Sequence, residues 1–247
     1  MKLSAAASLA VLLIVASAAN AQIGDSATFG KKNTYSAFLE YSNDSSHIIL
    51  GSSPNRKLAS LGIQYEHRLK SNRVLVWRYA AEFRPLILES DPTETNTITI
   101  LSPPPTGVFK GQPEVAFQCS AGLYSFSSII NGTLFSETQL VQCGRRWTYA
   151  QGFSPLGTRI NFLPHHRLQP TTSLLVGEML SSKKIPIDTA GSFNFTFEFG
   201  VGLEFYQTQS RSIRLEYQIH HFSNADTAQE NPGVDNGVFK LTYNFGR

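Results

Sequence analysis

The chain has 247 residues, 21 basic and 18 acidic side chains, 41% apolar residues and two cysteines. So balanced a charge, with no basic run interleaved with aromatics, argues against nucleic acid as a partner. After the first residues no segment approaches 18 uninterrupted apolar residues, so no transmembrane helix is expected. The chain opens "MKLSAAASLAVLLIVASAANAQ", with one lysine, an apolar run over 5–16, and Ala19-Asn20-Ala21 before Gln22. That is the pattern of a secretory signal, too short to span a bilayer. It predicts an exported protein with a signal over 1–21 and a single mature domain over 22–247. The mature domain would carry a net charge near +2.

Along that domain no long amphipathic helix is expected, and period-2 alternation between turn-rich clusters recurs. A weaker strand candidate lies at 34–42. "SLGIQYEHRL" sets Leu61, Ile63 and Tyr65 against Gln64 and Glu66. "VLVWRYAAEF" groups Leu75, Trp77, Tyr79, Ala81 and Phe83. Residues 88–145 break the pattern with "SPPPTG", "KGQP" and "NGT", and three consecutive prolines rule out a central strand there. This stretch reads as one long loop between two strands: a lid, a partner surface, or a variable excursion. Cys119 and Cys143 fall inside it. In an exported protein two cysteines read as a disulfide, worth about 3 kcal/mol by loop entropy. A metal pair would need further ligands, and none lies nearby.

Weaker candidates follow at 146–162 and 168–180. The clearest strand is "SFNFTFEFGVGLEFYQ", with Phe193, Phe195, Phe197, Phe199, Val201, Leu203 and Phe205 on one face. "SIRLEYQIHHF" sets Ile213, Leu215, Tyr217 and Ile219 against Arg214, Glu216, Gln218 and His220. "GVFKLTYNFGR" alternates Phe239, Leu241, Tyr243 and Phe245 with Lys240, Thr242 and Asn244. About eight strands result, and two architectures compete. A soluble barrel or sandwich points the apolar face inward. An outer-membrane barrel turns it to lipid and lines its interior with the polar face. The signal, the strand lengths and an aromatic-rich last strand favour the second. The predicted fold is an all-β, eight-stranded antiparallel outer-membrane β-barrel with one long disulfide-pinned loop.

Between the last two strands lies "HHFSNADTAQENPGVD". His221 and Ser223 are two apart, so on a strand they share a face with Cα atoms roughly 6.5 Å apart. A serine needs a base to take its proton, and the base needs a third group to orient it. Asp235 supplies one if the two strands pair as a hairpin. His221, Ser223 and Asp235 continue the odd-numbered, apolar series of their strands, whereas His220 belongs to the polar series. On an outer-membrane barrel the candidate catalytic set therefore stands on the outer wall, where the natural substrate is a lipid ester.

The same stretch resembles the signature of the outer-membrane lipid A 3-O-deacylases, some of which are labelled acyloxyacyl hydrolases. The signature is His-x-Ser-Asn, a short loop with a turn such as Asn-Pro-Gly, and an acid twelve residues after the serine. The resemblance implies an eight-stranded outer-membrane barrel that removes an ester-linked acyl chain from lipid A without metal or cofactor. It implies His221 as base, Ser223 as nucleophile, Asn224 as oxyanion donor and Asp235 as the acid. Lipid A or lipopolysaccharide would be the substrate and outer-membrane lipid the surroundings. Two positions depart from the pattern: Asp235 stands where the family carries Glu, and Asp226 where Gly is common. The specific resemblance covers about the last 35 residues. "SPLGTRINF" and "FNFTFEFG" are more loosely similar.

Other features read as ornament. His165 and His166 sit in a turn without further metal ligands. "GFSPLG" is no nucleophile elbow, and "GVGLEF" lacks the third glycine and helix of a dinucleotide loop. Asn43, Asn131 and Asn194 head chance sequons. Rival readings are a non-enzymatic adhesin or structural barrel, and an outer-membrane phospholipase.

Overall fold

The computed structural model of the chain describes residues 28–42, 45 and 49–246, and the expected signal segment lies outside them. The described residues form strands and turns without a helix. Eight strands make a closed antiparallel ring: β1 Asn33–Ser42, β2 Lys57–Ser71, β3 Leu75–Ser102, β7 Thr133–Phe162, β8 Leu168–Ser181, β9 Phe193–Tyr206, β10 Arg211–Ser223 and β11 Val234–Gly246. Pairing of β1 with β11, and of β3 with β7, closes it. Closure leaves the ring without an edge, the condition for a sheet to cross a bilayer.

Alternation sorts the side chains as the sequence predicts. Odd residues of β9, β10 and β11 are exposed or half-buried apart from Asp235, the exposed ones including Phe195, Phe199, Val201, Phe205, Leu215, Phe239 and Leu241. Tyr35, Trp77, Tyr243 and Phe245 lie on this outer wall toward the terminal end, and Tyr41, Tyr217 and Phe239 toward the other. Aromatic girdles at two heights are what membrane–water interfaces select. Inside, the ring is filled rather than hollow. Arg214 pairs with Glu66 at 2.9 Å and Glu216 at 3.0 Å, and donates to Gln64. Arg84 pairs with Glu40 at 3.0 Å and Glu82 at 2.8 Å, and Lys240 with Glu40 at 3.2 Å. Above these ion pairs sits an apolar plug of Leu58, Ile87, Ala150, Met179, Ile185, Phe222 and Val234.

The stretch expected as a loop is mostly sheet. β3 and β7 stay paired from Leu75–Phe162 out to Ser102–Ser136, so the hairpin runs about 40 Å past the level of Ser90. The β-branched alternation "TETNTITI" at 93–100 suits a strand and outweighs the nearby prolines, which fall in the turn after Ser102. Three short strands complete this arm: β4 Gly107–Lys110 and β5 Glu114–Val115 beside β3, and β6 Gly122–Ile130 beside β7. The expected disulfide joins Cys119 to Cys143 in β7. The arm stands at the same end as the 49–56, 182–192 and 224–233 segments, and short turns occupy the other end. In outer-membrane barrels the long connections face outward from the cell.

Replacing Arg214 by leucine removes one of the two cations, Arg214 and Arg159, that Glu66 and Glu216 share. We expect about 3–5 kcal/mol of lost stability, read from denaturant unfolding of the purified barrel in detergent.

Candidate active site on the outer wall

β10 and β11 pair in unbroken register from Arg211–Phe245 to Phe222–Val234, and β9 pairs with β10 as far as Phe195–Ser223. No bulge disturbs parity, so His221 and Ser223 face outward while His220 and Phe222 are buried inside. His221 lies directly opposite Asp235. Its Nδ1 is 2.6 Å from Asp235 Oδ1. A carboxylate offers only lone pairs, so Nδ1 carries the proton and Nε2 keeps a free pair. Asp235 is 1% exposed. Its other oxygen, Oδ2, accepts the backbone N–H groups of Ile49 at 2.6 Å and Leu50 at 3.1 Å.

These two donors were invisible in the sequence because they are main-chain atoms of a connection more than 180 residues away. Close packing holds them there. A Cβ on Gly51 would come within 2.4 Å of Asp235 N. Ser52 N–H donates to Pro232 O at 2.8 Å, and Ser53 N–H to Gly233 O at 3.3 Å. Gly233 has φ +56°, and a Cβ there would stand 3.3 Å from His221 Cε1. Glycine is required for both reasons: the left-handed backbone and the approach to the imidazole.

Ser223 is partly exposed, next to Phe195 of β9. Among the described residues no hydrogen bond joins its Oγ to the imidazole, so the structure brings together His221 and Asp235 but not yet Ser223. Asn224 is buried, and its Nδ2 donates to Glu230 O at 2.7 Å. Its backbone N–H donates to Asn231 Oδ1 at 3.0 Å. It braces the 224–233 loop, with one amide hydrogen left over. Ala225 and Asp226 follow with φ of 50° and 60° and are exposed. The departure at Asp226 is thus at a left-handed position, where Gly or Asp is tolerated. His165 and His166 lie in the turn between β7 and β8, far from this end. Among the described residues the one carboxylate group compact enough for an ion is Glu40, Glu82 and Glu198 inside the barrel. Arg84 reaches all three, and Lys240 two of them.

The family model described as lipid A 3-O-deacylase (PagL) matches residues 132–244, which hold β7 to β11 and every candidate site residue. Over those residues the chain is similar to the lipid A 3-O-deacylase family. The matched family is one of ester hydrolases. Solved structures similar to it include the outer membrane enzyme PagL, at 12% identity over 86% of this chain and 99% of that one, TM-score 0.49. Neisserial surface protein A is 10% identical over 88% and 98%, TM-score 0.44. The outer membrane protein OprG from Pseudomonas aeruginosa is 10% identical over 89% and 99%, TM-score 0.38. No curated protein matches the sequence.

Gly51→Ala should force the 49–51 backbone away from Asp235. We expect at least about a tenfold loss of hydrolysis in a barrel whose unfolding midpoint is little changed, measured by release of fatty acid from lipid A.

Proposed function

We propose that the chain removes an ester-linked acyl chain from lipid A, working from the outer wall by a serine mechanism. The observation that carries this reading is the 2.6 Å bond between His221 and the shielded Asp235 carboxylate, with Ser223 two residues on along the same lipid-facing row. His221 Nε2 takes the proton of Ser223 Oγ as the oxygen attacks the ester carbonyl. The tetrahedral intermediate collapses, the C–O bond to the sugar breaks, and His221 returns the proton to the departing sugar oxygen. Water then attacks the acyl-Ser223 ester with His221 again as base, and the fatty acid leaves. Asn224, with backbone N–H groups of the exposed 225–226 turn, is the source of oxyanion stabilisation. Asp235 holds the imidazole in the tautomer that leaves Nε2 free.

A lipid substrate suits the surroundings of Ser223. Phe195 is its cross-strand neighbour, and Phe193 packs against Phe195 edge to face at 5.2 Å. An acyl chain drawn from the membrane meets rings rather than water here. The Asp-for-Glu exchange is compatible with the role, because the direct cross-strand pair already brings the shorter carboxylate to 2.6 Å.

Mass spectrometry of lipid A from cells expressing wild type or Ser223→Ala tests the reading. Wild type should yield lipid A lighter by one ester-linked acyl chain, and the variant lipid A with that chain retained. Identical profiles would remove the deacylase reading, and turnover of phospholipid alone in a substrate panel would redirect it. Asp235→Asn should lower kcat by about 10⁴-fold, since an amide no longer selects the tautomer. Asp235→Glu, which overshoots a pair already in contact, should retain more activity than Asn but less than wild type.

A further inference from the structure

Asp235 does not hold its own position. One oxygen faces His221, and the other is fixed by N–H groups of residues 49 and 50. The 49–56 segment that carries those donors is in turn fastened at its far end to the arm. Arg145 lies on β7 where the arm leaves the barrel, opposite Pro92. Its guanidinium donates to Asn55 O at 2.8 Å and Asn55 Oδ1 at 3.2 Å. It also donates to Ser90 O at 2.8 Å and Ser90 Oγ at 2.7 Å. One planar fork thus bridges the segment to β3 and β7 together, a geometry lysine cannot reproduce.

Asn55 has φ +58°, so the chain turns at the residue Arg145 grips. The next residue, Arg56, is fully buried. Its guanidinium pairs with Asp91 of β3 at 3.1 Å. It also donates to Phe117 O at 3.0 Å in the arm and to Pro186 O at 3.2 Å in the 182–192 connection. The carbonyls of Ala116 and Phe117 are kept in place by the Ala116 N–H bond to Pro92 O and by the nearby Cys119–Cys143 bridge.

A continuous set of bonds therefore runs from the base of the arm through residues 49–56 to the carboxylate that orients the base. We propose that Arg145 and Arg56 are positioning residues for Asp235, acting through the 49–56 segment, so that the arm base sets the alignment of the His221–Asp235 pair. The proposal rests on the ester-hydrolase reading above. It assigns the arm a part in catalysis that its distance from Ser223 along the chain conceals.

The test compares kcat, KM and pH profile on lipid A for the full-length protein purified in detergent. The variants are Arg145→Ala, Arg145→Lys, Arg56→Lys and Leu50→Pro, with Ser223→Ala beside them. Leu50→Pro deletes one N–H donor to Asp235. Arg56→Lys keeps a cation opposite Asp91 but loses the fork. Arg145→Ala, Arg56→Lys and Leu50→Pro should each lower kcat about tenfold or more at unchanged KM, and Arg145→Lys should fall between Arg145→Ala and wild type. Without the backbone donors the Asp235 carboxylate is more basic and holds the imidazolium more tightly. The acid limb of the profile should therefore move to higher pH. A purely structural role would lower the folded fraction and leave that limb in place. Should Arg145→Ala fail to fold, Arg145→Gln, which keeps one donor group and loses the fork, takes its place with the same expectation. Wild-type kcat and an unmoved acid limb in folded Arg145 and Arg56 variants overturn the proposal while an inactive Ser223→Ala leaves the function standing. An active Ser223→Ala overturns the serine mechanism, and the positioning proposal falls with it.

Discussion

Every feature of this protein depends on a sheet that must satisfy its own backbone. A strand in hydrocarbon has no water for its N–H and C=O groups, so the eight strands close on themselves through β1–β11 and β3–β7. Once the ring is closed, each residue has one of two addresses. An odd residue of β10 meets the membrane, and an even one meets the interior. The interior could have been an aqueous channel, but here Arg78, Arg84, Arg159, Arg214 and Lys240 interleave with six glutamates. Such buried pairs are costly to desolvate and are worth keeping only as a complete network. They leave the outer wall as the place for the chemistry proposed above.

Much of this was legible in the sequence because period 2 is a simple code. Phe193 through Phe205 announce an outward face without reference to any other strand, and the count from Ile219 to Ser223 separates His220 from His221. The pairing of His221 with Asp235 was also accessible, since a hairpin with strict alternation leaves little freedom in register. What escaped was whatever depended on main-chain atoms or on distant segments. Ile49 and Leu50 contribute N–H groups that any residue but proline carries, so their side chains say nothing of the role. Asn224 also braces the 224–233 loop through one of its amide hydrogens, a contact that the motif alone does not reveal. The 88–145 stretch resembles a loop in sequence because its prolines stand beside the Thr and Ile alternation that forms the strand.

The arm and the site illustrate two ways of fixing a polar group. Inside the barrel, charges hold charges, and each of the six glutamates Glu40, Glu66, Glu82, Glu198, Glu204 and Glu216 meets a guanidinium or an ammonium. At Asp235 one imidazole and two backbone amides are among the partners. Amides stabilise a carboxylate without competing for it as a salt bridge would.

The apolar plug of Leu58, Ile87, Met179, Phe222 and Val234 has a consequence for kinetics. With buried apolar side chains packed beneath the site, the lipid substrate proposed above would reach it along the outer wall. Traffic is confined to the plane of the membrane and the water just above it. Encounter is then two-dimensional, set by how many target lipids share the leaflet rather than by how much lipid is in the tube. Diluting the bilayer with inert lipid slows such a protein as surely as diluting a solution slows a soluble one.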